Sequence, residues 1–216
     1  LRSDSYNALS AALEKGATHL GGLDPHIIDK DSKTSLKKTF ELAEKYNVDI
    51  DYHLHEGHEI GLESFNEIVK CIKNYKWQNR FAISHAMFLS HLDEKGKEQA
   101  AYTMAENGIS LISQIPINGD CPDFPYCDKD GVKTALGVDC INDSWWPYGD
   151  GSVLEKLTVM GRLFGIRKEK ELADSLKYIT GYKTPLDQNG EMTWPKTGDR
   201  ANMLLCDASC SAEVVG

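Results

Sequence analysis

Apolar positions along this chain alternate between two periods, one helical and one extended. Ala8, Leu9, Ala12 and Leu13 have helical spacing and stop near Gly16. The stretch 18–23, THLGGL, then reads as a short strand. Helical spacing returns over 35–47, where Leu36, Phe40 and Ala43 share a face, and again at Phe65, Ile68, Val69 and Ile72. Between those two lies VDIDYHL, 48–54, which alternates with period two and is rich in β-formers. RFAISH (80–85), ISLISQI (109–115) and TALGVD (134–139) read as further strands. Helices are predicted over 94–108, about 151–165 and 169–180.

The predicted strands end near Leu23, His53, His85, Ile115 and Asp139, one roughly every thirty residues, as a chain of βα units requires. Right-handed crossovers make such strands parallel. Two closures are open at this point, a (β/α)8 barrel and a doubly wound open sheet. The chemistry at the strand ends favours the barrel. Its strand tips converge on one rim, so His53, His85 and Asp139 can meet there. In an open sheet they would sit several strand spacings of about 4.8 Å apart. A barrel needs eight strands and five are visible, so about three more are expected before Leu1.

Residues 51–59, DYHLHEGHE, hold three histidines and three carboxylates and suggest a metal site. The zincin pattern H-E-x-x-H fails on spacing, because His58 follows Glu56 one residue too soon. His55 shares a face with His53 by alternation; whether it borders a pocket or lies beyond the strand end stays open. Six cysteines are too sparse for a disulfide framework and read as reduced thiols. Cys121 and Cys127 flank a Pro-rich loop and would suit zinc, but there is no matching second pair. A net charge of −9 argues against a nucleic-acid partner. No apolar run approaches a membrane span, and a cytoplasmic protein is expected.

Taken in order, these motifs resemble the metal-dependent amidohydrolase superfamily, and within it the cytosine deaminase-like branch, over about residues 5–208. His53 and Glu56 in DYHLHE match the fifth strand's metal-binding His and the catalytic Glu three positions later. His85 in AISHA matches the sixth strand's His, and Asp139 in LGVDC the eighth strand's Asp. DPH, 24–26, also looks like this branch, and GDRANMLLCDA, 198–208, resembles the strand returning to a small β domain. The family's H-x-H pair on the first strand has no counterpart here.

The resemblance implies an α/β fold, a (β/α)8 TIM-type barrel of which strands 4–8 are present. Residues 1–183 would be the C-terminal portion of the barrel, and 184–216 the start of a small composite β domain. It implies a hydrolase acting on C–N bonds: a hydrolytic deaminase of a small, cytosine-like nitrogen heterocycle, in which metal-activated water attacks the ring carbon bearing the amino group. The alternatives are a cyclic-amide or ring-opening amidohydrolase with the same metal site, or an incomplete fragment without catalysis. One divalent ion, Zn or Fe(II), is expected, because no Lys stands at the end of the fourth strand to bridge two. His53 and Asp139 would be its ligands. Glu56 would carry protons, His85 would stabilise developing charge, and Asp139 would accept the proton of water. His26, Asp143, Trp145 and Trp146 are candidate substrate contacts. The expected partners are the heterocyclic substrate, a companion chain or N-terminal segment supplying the missing barrel half, and further copies in a homo-oligomer; no nucleic acid or membrane is expected.

Overall fold

The computed structural model describes residues 3–117, 119–187 and 189–216. The chain divides into two compact units, Leu1–Thr134 and Ala135–Gly216. The first opens with α1 (Ser3–Glu14), β1 (His19–Leu23), α2 (Ser32–Tyr46), β2 (Asp49–His53), α3 (His58–Tyr75) and β3 (Phe81–Ser84). A 3₁₀ turn (Met87–His91), α4 (Glu94–Glu106), β4 (Ile109–Ser113) and α5 (Phe124–Lys129) follow. The short β5 (Thr134–Leu136) begins where this unit ends.

The helix ends have local causes. Asp31 caps α2 by accepting from the Thr34 amide at 3.1 Å, and Asp93 caps α4 by accepting from the Gly96 amide at 2.8 Å. Asn47 ends α2 and Lys76 ends α3 in the left-handed region. The sheet order is β1-β2-β3-β4-β5, and β1 to β4 pair in parallel. A doubly wound sheet reverses its strand order at a switch point, whereas a barrel wall runs sequentially, as here. Of the two closures the periodicity left open, the observed order is that of a barrel wall.

One face of the sheet makes the core. Leu20, Ile50, Tyr52, Phe81, Ile83, Ile109 and Leu111 are all buried, as the period-two pattern predicts. Leu36, Phe40 and Ala43 of α2 are fully buried, as are Ile68 and Ile72 of α3. Phe40 stacks on Phe81 at 5.6 Å between ring centroids and lies 5.4 Å from the Tyr75 ring. The alternate positions Asp49, Asp51 and His53 of β2 are only half-buried and point to the other face.

Tyr52 is so tightly enclosed that its strand neighbour cannot carry a side chain. Tyr52 pairs with Gly22, and a Cβ at Gly22 would lie 2.0 Å from Tyr52 Cε2. Gly22→Ala is therefore expected to destabilise the protein by about 1–2 kcal/mol through overpacking, read as a lower urea midpoint with unchanged slope.

The second unit contains α6 (Val153–Leu163), α7 (Glu169–Ser175) and α8 (Lys177–Thr180). Ser152 caps α6, and the Thr158 hydroxyl donates to the Val215 carbonyl at 2.7 Å. The helix expected over 169–180 is broken at Leu176, next to Ser175, whose hydroxyl turns back to the Leu172 carbonyl at 2.6 Å. The strand expected in 198–208 is absent. Leu204 and Leu205 are 83% and 95% exposed, and no described segment offers them a ladder of backbone partners. A single antiparallel bridge, Leu186 to Met192, is the β pairing found in this unit's described residues outside β5. No helix among the described residues is long and apolar enough to cross a membrane.

Candidate metal centre

The parallel register decides which side chains meet at the strand exits. Leu23 pairs with His53, and His53 with Ser84. The residues that follow these three therefore emerge at one level. Backbone bonds continue the ladder past the strand ends: the Asp24 amide donates to the His53 carbonyl (3.1 Å), Leu54 to Ser84 (2.9 Å) and His85 to Ile112 (2.8 Å). The chain then bends sharply. Asp24, His85 and Ile115 have φ of 37°, 73° and 53°, left-handed values that non-glycine residues seldom adopt. Backbone strain of this kind collects where side chains must be aimed.

The bends bring three imidazoles together. One ring nitrogen from each of His53, His55 and His85 lies within 4.8 Å of the others. Ring centroids are 5.2 Å apart for His53 and His85, and 4.1 Å for His55 and His85. His85 is buried, while the His53 and His55 side chains are 42% and 36% exposed. Two nitrogens bound to one ion at about 2.1 Å each are at most about 4.2 Å apart. Rotations that move nitrogen atoms by less than about 1 Å would satisfy that limit. Three imidazoles suit zinc and ferrous iron alike. A neutral ring offers one lone-pair nitrogen, Nδ1 or Nε2, so the set fits a divalent ion of that class.

Two carboxylates frame the cluster. Asp24 is buried. Its Oδ1 accepts from the backbone amides of His55 (2.6 Å) and Glu56 (3.2 Å), and its Oδ2 lies 3.0 Å from His55 Nδ1. Burial works to raise its pKa, but the bonds from the His55 ring and amide and from the Glu56 amide together outweigh it, so the carboxyl sits below its ordinary range. Glu56 is 1% exposed. Its Oε1 accepts from the backbone amides of His26 and Ile27, both at 2.8 Å, and its Oε2 accepts from the Ser64 hydroxyl.

His26 thus reaches this site through its backbone amide; its side chain is half-buried. Ser64 carries no signal in the sequence, Asp24 enters only as part of the DPH motif, and the place of His55 stays open there. His55 had a signal, its shared face with His53. The bonds of Asp24 to His55 and of Ser64 to Glu56 span 31 and 8 residues of chain, and no local pattern announces those pairings. A further pair, His58 and His91, stacks at 3.7 Å, with His91 Nε2 2.8 Å from Asp120 Oδ2.

The remaining candidates lie in the second unit. Asp139, exposed and with φ of 68°, follows β5 by three residues. Asp143 Oδ1 accepts from the amides of Trp145 (2.8 Å) and Trp146 (3.0 Å), a turn that sets these rings on the surface. Trp145 is 87% exposed, and Trp146 meets Tyr148 edge-on at 5.6 Å. All six cysteines are free. Burial pushes the Cys121 thiol up to about 11 and the Cys127 thiol to about 12, which keeps both protonated near neutral pH.

No family model matches the chain. The uncharacterized protein YahJ of Escherichia coli (strain K12) is 37% identical over 216 residues, covering 100% of this chain and 47% of YahJ. N-isopropylammelide isopropyl amidohydrolase of Pseudomonas sp. (strain ADP) is 24% identical over 179 residues, 82% of this chain and 44% of that protein. Among solved structures, N-isopropylammelide isopropylaminohydrolase from Burkholderia multivorans ATCC 17616 matches with a TM-score of 0.80 and 31% identity, over 84% of this chain and 46% of that one. The 5-methylcytosine deaminase of Klebsiella pneumoniae, at 19% identity and a TM-score of 0.71, shares the fold over 83% of this chain and 47% of its own. The chain spans about half the length of the curated relatives it matches.

Proposed function

We propose, from the premise that the chain belongs with the amidohydrolases and deaminases and corresponds to the C-terminal part of such a chain, that the protein is a metal-dependent hydrolytic deaminase. Its substrate would be a small, cytosine-like nitrogen heterocycle. The observation that carries this reading is the cluster of His53, His55 and His85 at the exits of adjacent parallel strands. That is where the chemistry of this architecture is placed.

In this reading His53 holds the ion, and Asp139 is its carboxylate ligand and the acceptor of the water proton. The role of Asp139 rests on the family resemblance and on its place after β5. A divalent ion bound at the site would supply the Lewis acidity that makes water nucleophilic at neutral pH. The oxygen of water adds to the ring carbon bearing the amino group, and the neighbouring ring nitrogen takes up a proton. The C–N bond then breaks, and the departing amine takes a proton to leave as ammonia. Glu56, protonated at the start, gives its proton to the ring nitrogen, takes up the hydroxyl proton as the C=O bond forms and passes it to the departing amine; the proton that Asp139 took from water then restores Glu56. Its Oε2 faces the Ser64 hydroxyl, which rotates to donate or accept, so this oxygen is the one able to exchange a proton. His85, buried beside the cluster, offers an imidazole N–H to the developing negative charge.

The test is ammonia release from cytosine and related aminated heterocycles by the full-length protein. Activity is expected to disappear with His53→Ala and on removal of divalent metal, and to return when zinc or ferrous iron is restored. A ring-opened product without ammonia would instead indicate an amide-cleaving enzyme on the same site.

A further inference from the structure

The hydrogen bonds around Asp24 fix the orientation of His55. Asp24 receives the His55 amide, the Glu56 amide and His55 Nδ1, so one buried carboxylate fixes both the turn after β2 and the plane of the His55 ring. A proton on Nδ1 satisfies that bond and leaves the lone pair on Nε2. The carboxylate–imidazole pair ends against the His85 ring, 4.1 Å away between centroids. Carboxylate, then imidazole, then cation is the arrangement by which proteins orient a metal-binding histidine and raise its basicity.

We infer that His55 is a second imidazole ligand of the cation in this site, beside His53 and through Nε2, and that Asp24 is the residue that positions it. The inference rests on the metal-dependent reading given above and adds a ligand to it. The separation of 31 residues between Asp24 and His55 makes the device non-local: the turn after β1 supplies the carboxylate and the turn after β2 the imidazole, and the register Leu23 to His53 aligns them. His55 would then be the ligand that this chain adds next to His53, two residues along the same turn.

Equilibrium binding of Co(II) to the purified full-length protein, read by metal analysis and by its visible absorption bands, tests this without any activity assay. The protein is expected to hold one cobalt ion. His55→Ala keeps the backbone amide that Asp24 accepts and is expected to weaken binding about 100-fold or more and to alter the absorption bands. Asp24→Asn is expected to weaken it about 10- to 100-fold, the range for losing an orienting partner. His55→Gln and circular dichroism on all samples separate a lost ligand from a lost fold. Wild-type affinity and an unchanged spectrum in both His55 variants would overturn the inference, and if His53→Ala still abolished binding the metal reading would stand without it. No cobalt bound by the wild-type protein would overturn both. Loss of cobalt in His91→Ala with retention in His55→Ala would place the ion at the other histidine pair and overturn the inference as well.

Discussion

Glu56→Gln is expected to lower ammonia release by about 10²–10⁴-fold, the usual contribution of a positioned general acid–base, in a protein that still folds and still takes up metal. The geometry explains why folding survives. Glu56 is buried and accepts three hydrogen bonds, from the His26 and Ile27 amides on one oxygen and from Ser64 on the other. A glutamine can keep its carbonyl oxygen against the two amides. Its NH2 group then faces the Ser64 hydroxyl, which rotates to accept. What is lost is the ability to take up and give back a proton.

Glu56→Ala separates this from the residue's second duty. It leaves two backbone N–H groups and one hydroxyl without their partner in a buried place, at about 1–3 kcal/mol each. The loop after β1 is expected to loosen, and the urea midpoint to fall by an amount equivalent to about 3 kcal/mol or more. A glutamine variant with full activity would reduce Glu56 to an anchor between that loop and α3.

The five strands and the helices α2, α3 and α4 between them were legible because each carries its own period. Alternation marked β2 through Ile50 and Tyr52, and an i, i+3, i+4, i+7 stripe marked α3 through Phe65, Ile68, Val69 and Ile72; these residues are buried. The places of His53 and His85 at the strand exits were legible for the same reason, since the strands before them have plain interiors. Two short elements were not foreseen. The 3₁₀ turn over Met87–His91 is too short to show a period. Helix α5 lay in a loop rich in Pro, Asp and Cys, although Asp123 as N-cap with Pro125 in the first turn is a helix-start signal.

His55 illustrates a different limit. Alternation put it on the face of His53, but β2 stops at His53 and the next bend decides its direction. That bend is set by Asp24, thirty-one residues earlier, so the orientation belongs to the paired sheet and not to the segment. The expected strand in 198–208 failed for the converse reason. Met203, Leu204 and Leu205 look like strand residues, yet a strand exists only beside a partner.

Gly61→Ala is expected to destabilise the protein by about 3 kcal/mol or more, near the upper end for overpacking, although intrinsic propensity predicts the opposite sign. Gly61 lies inside α3, where alanine ordinarily gains about 1 kcal/mol over glycine. Here a Cβ would lie 2.0 Å from the Glu56 carbonyl oxygen and 2.6 Å from Phe88 Cβ. The first of these is backbone and cannot turn aside. Relief requires α3 to move away from the 53–56 turn, and with it Ser64, the partner of Glu56 Oε2. The cost is therefore felt in the site as well as in the fold: Co(II) affinity and ammonia release are expected to fall together with the urea midpoint. Gly61→Ser should behave alike, because its Cβ meets the same atoms. If Gly61→Ala raised the midpoint, the close approach of α3 to the Glu56 carbonyl would be refuted, and with it the account of how this helix holds the turn that carries His53, His55 and Glu56.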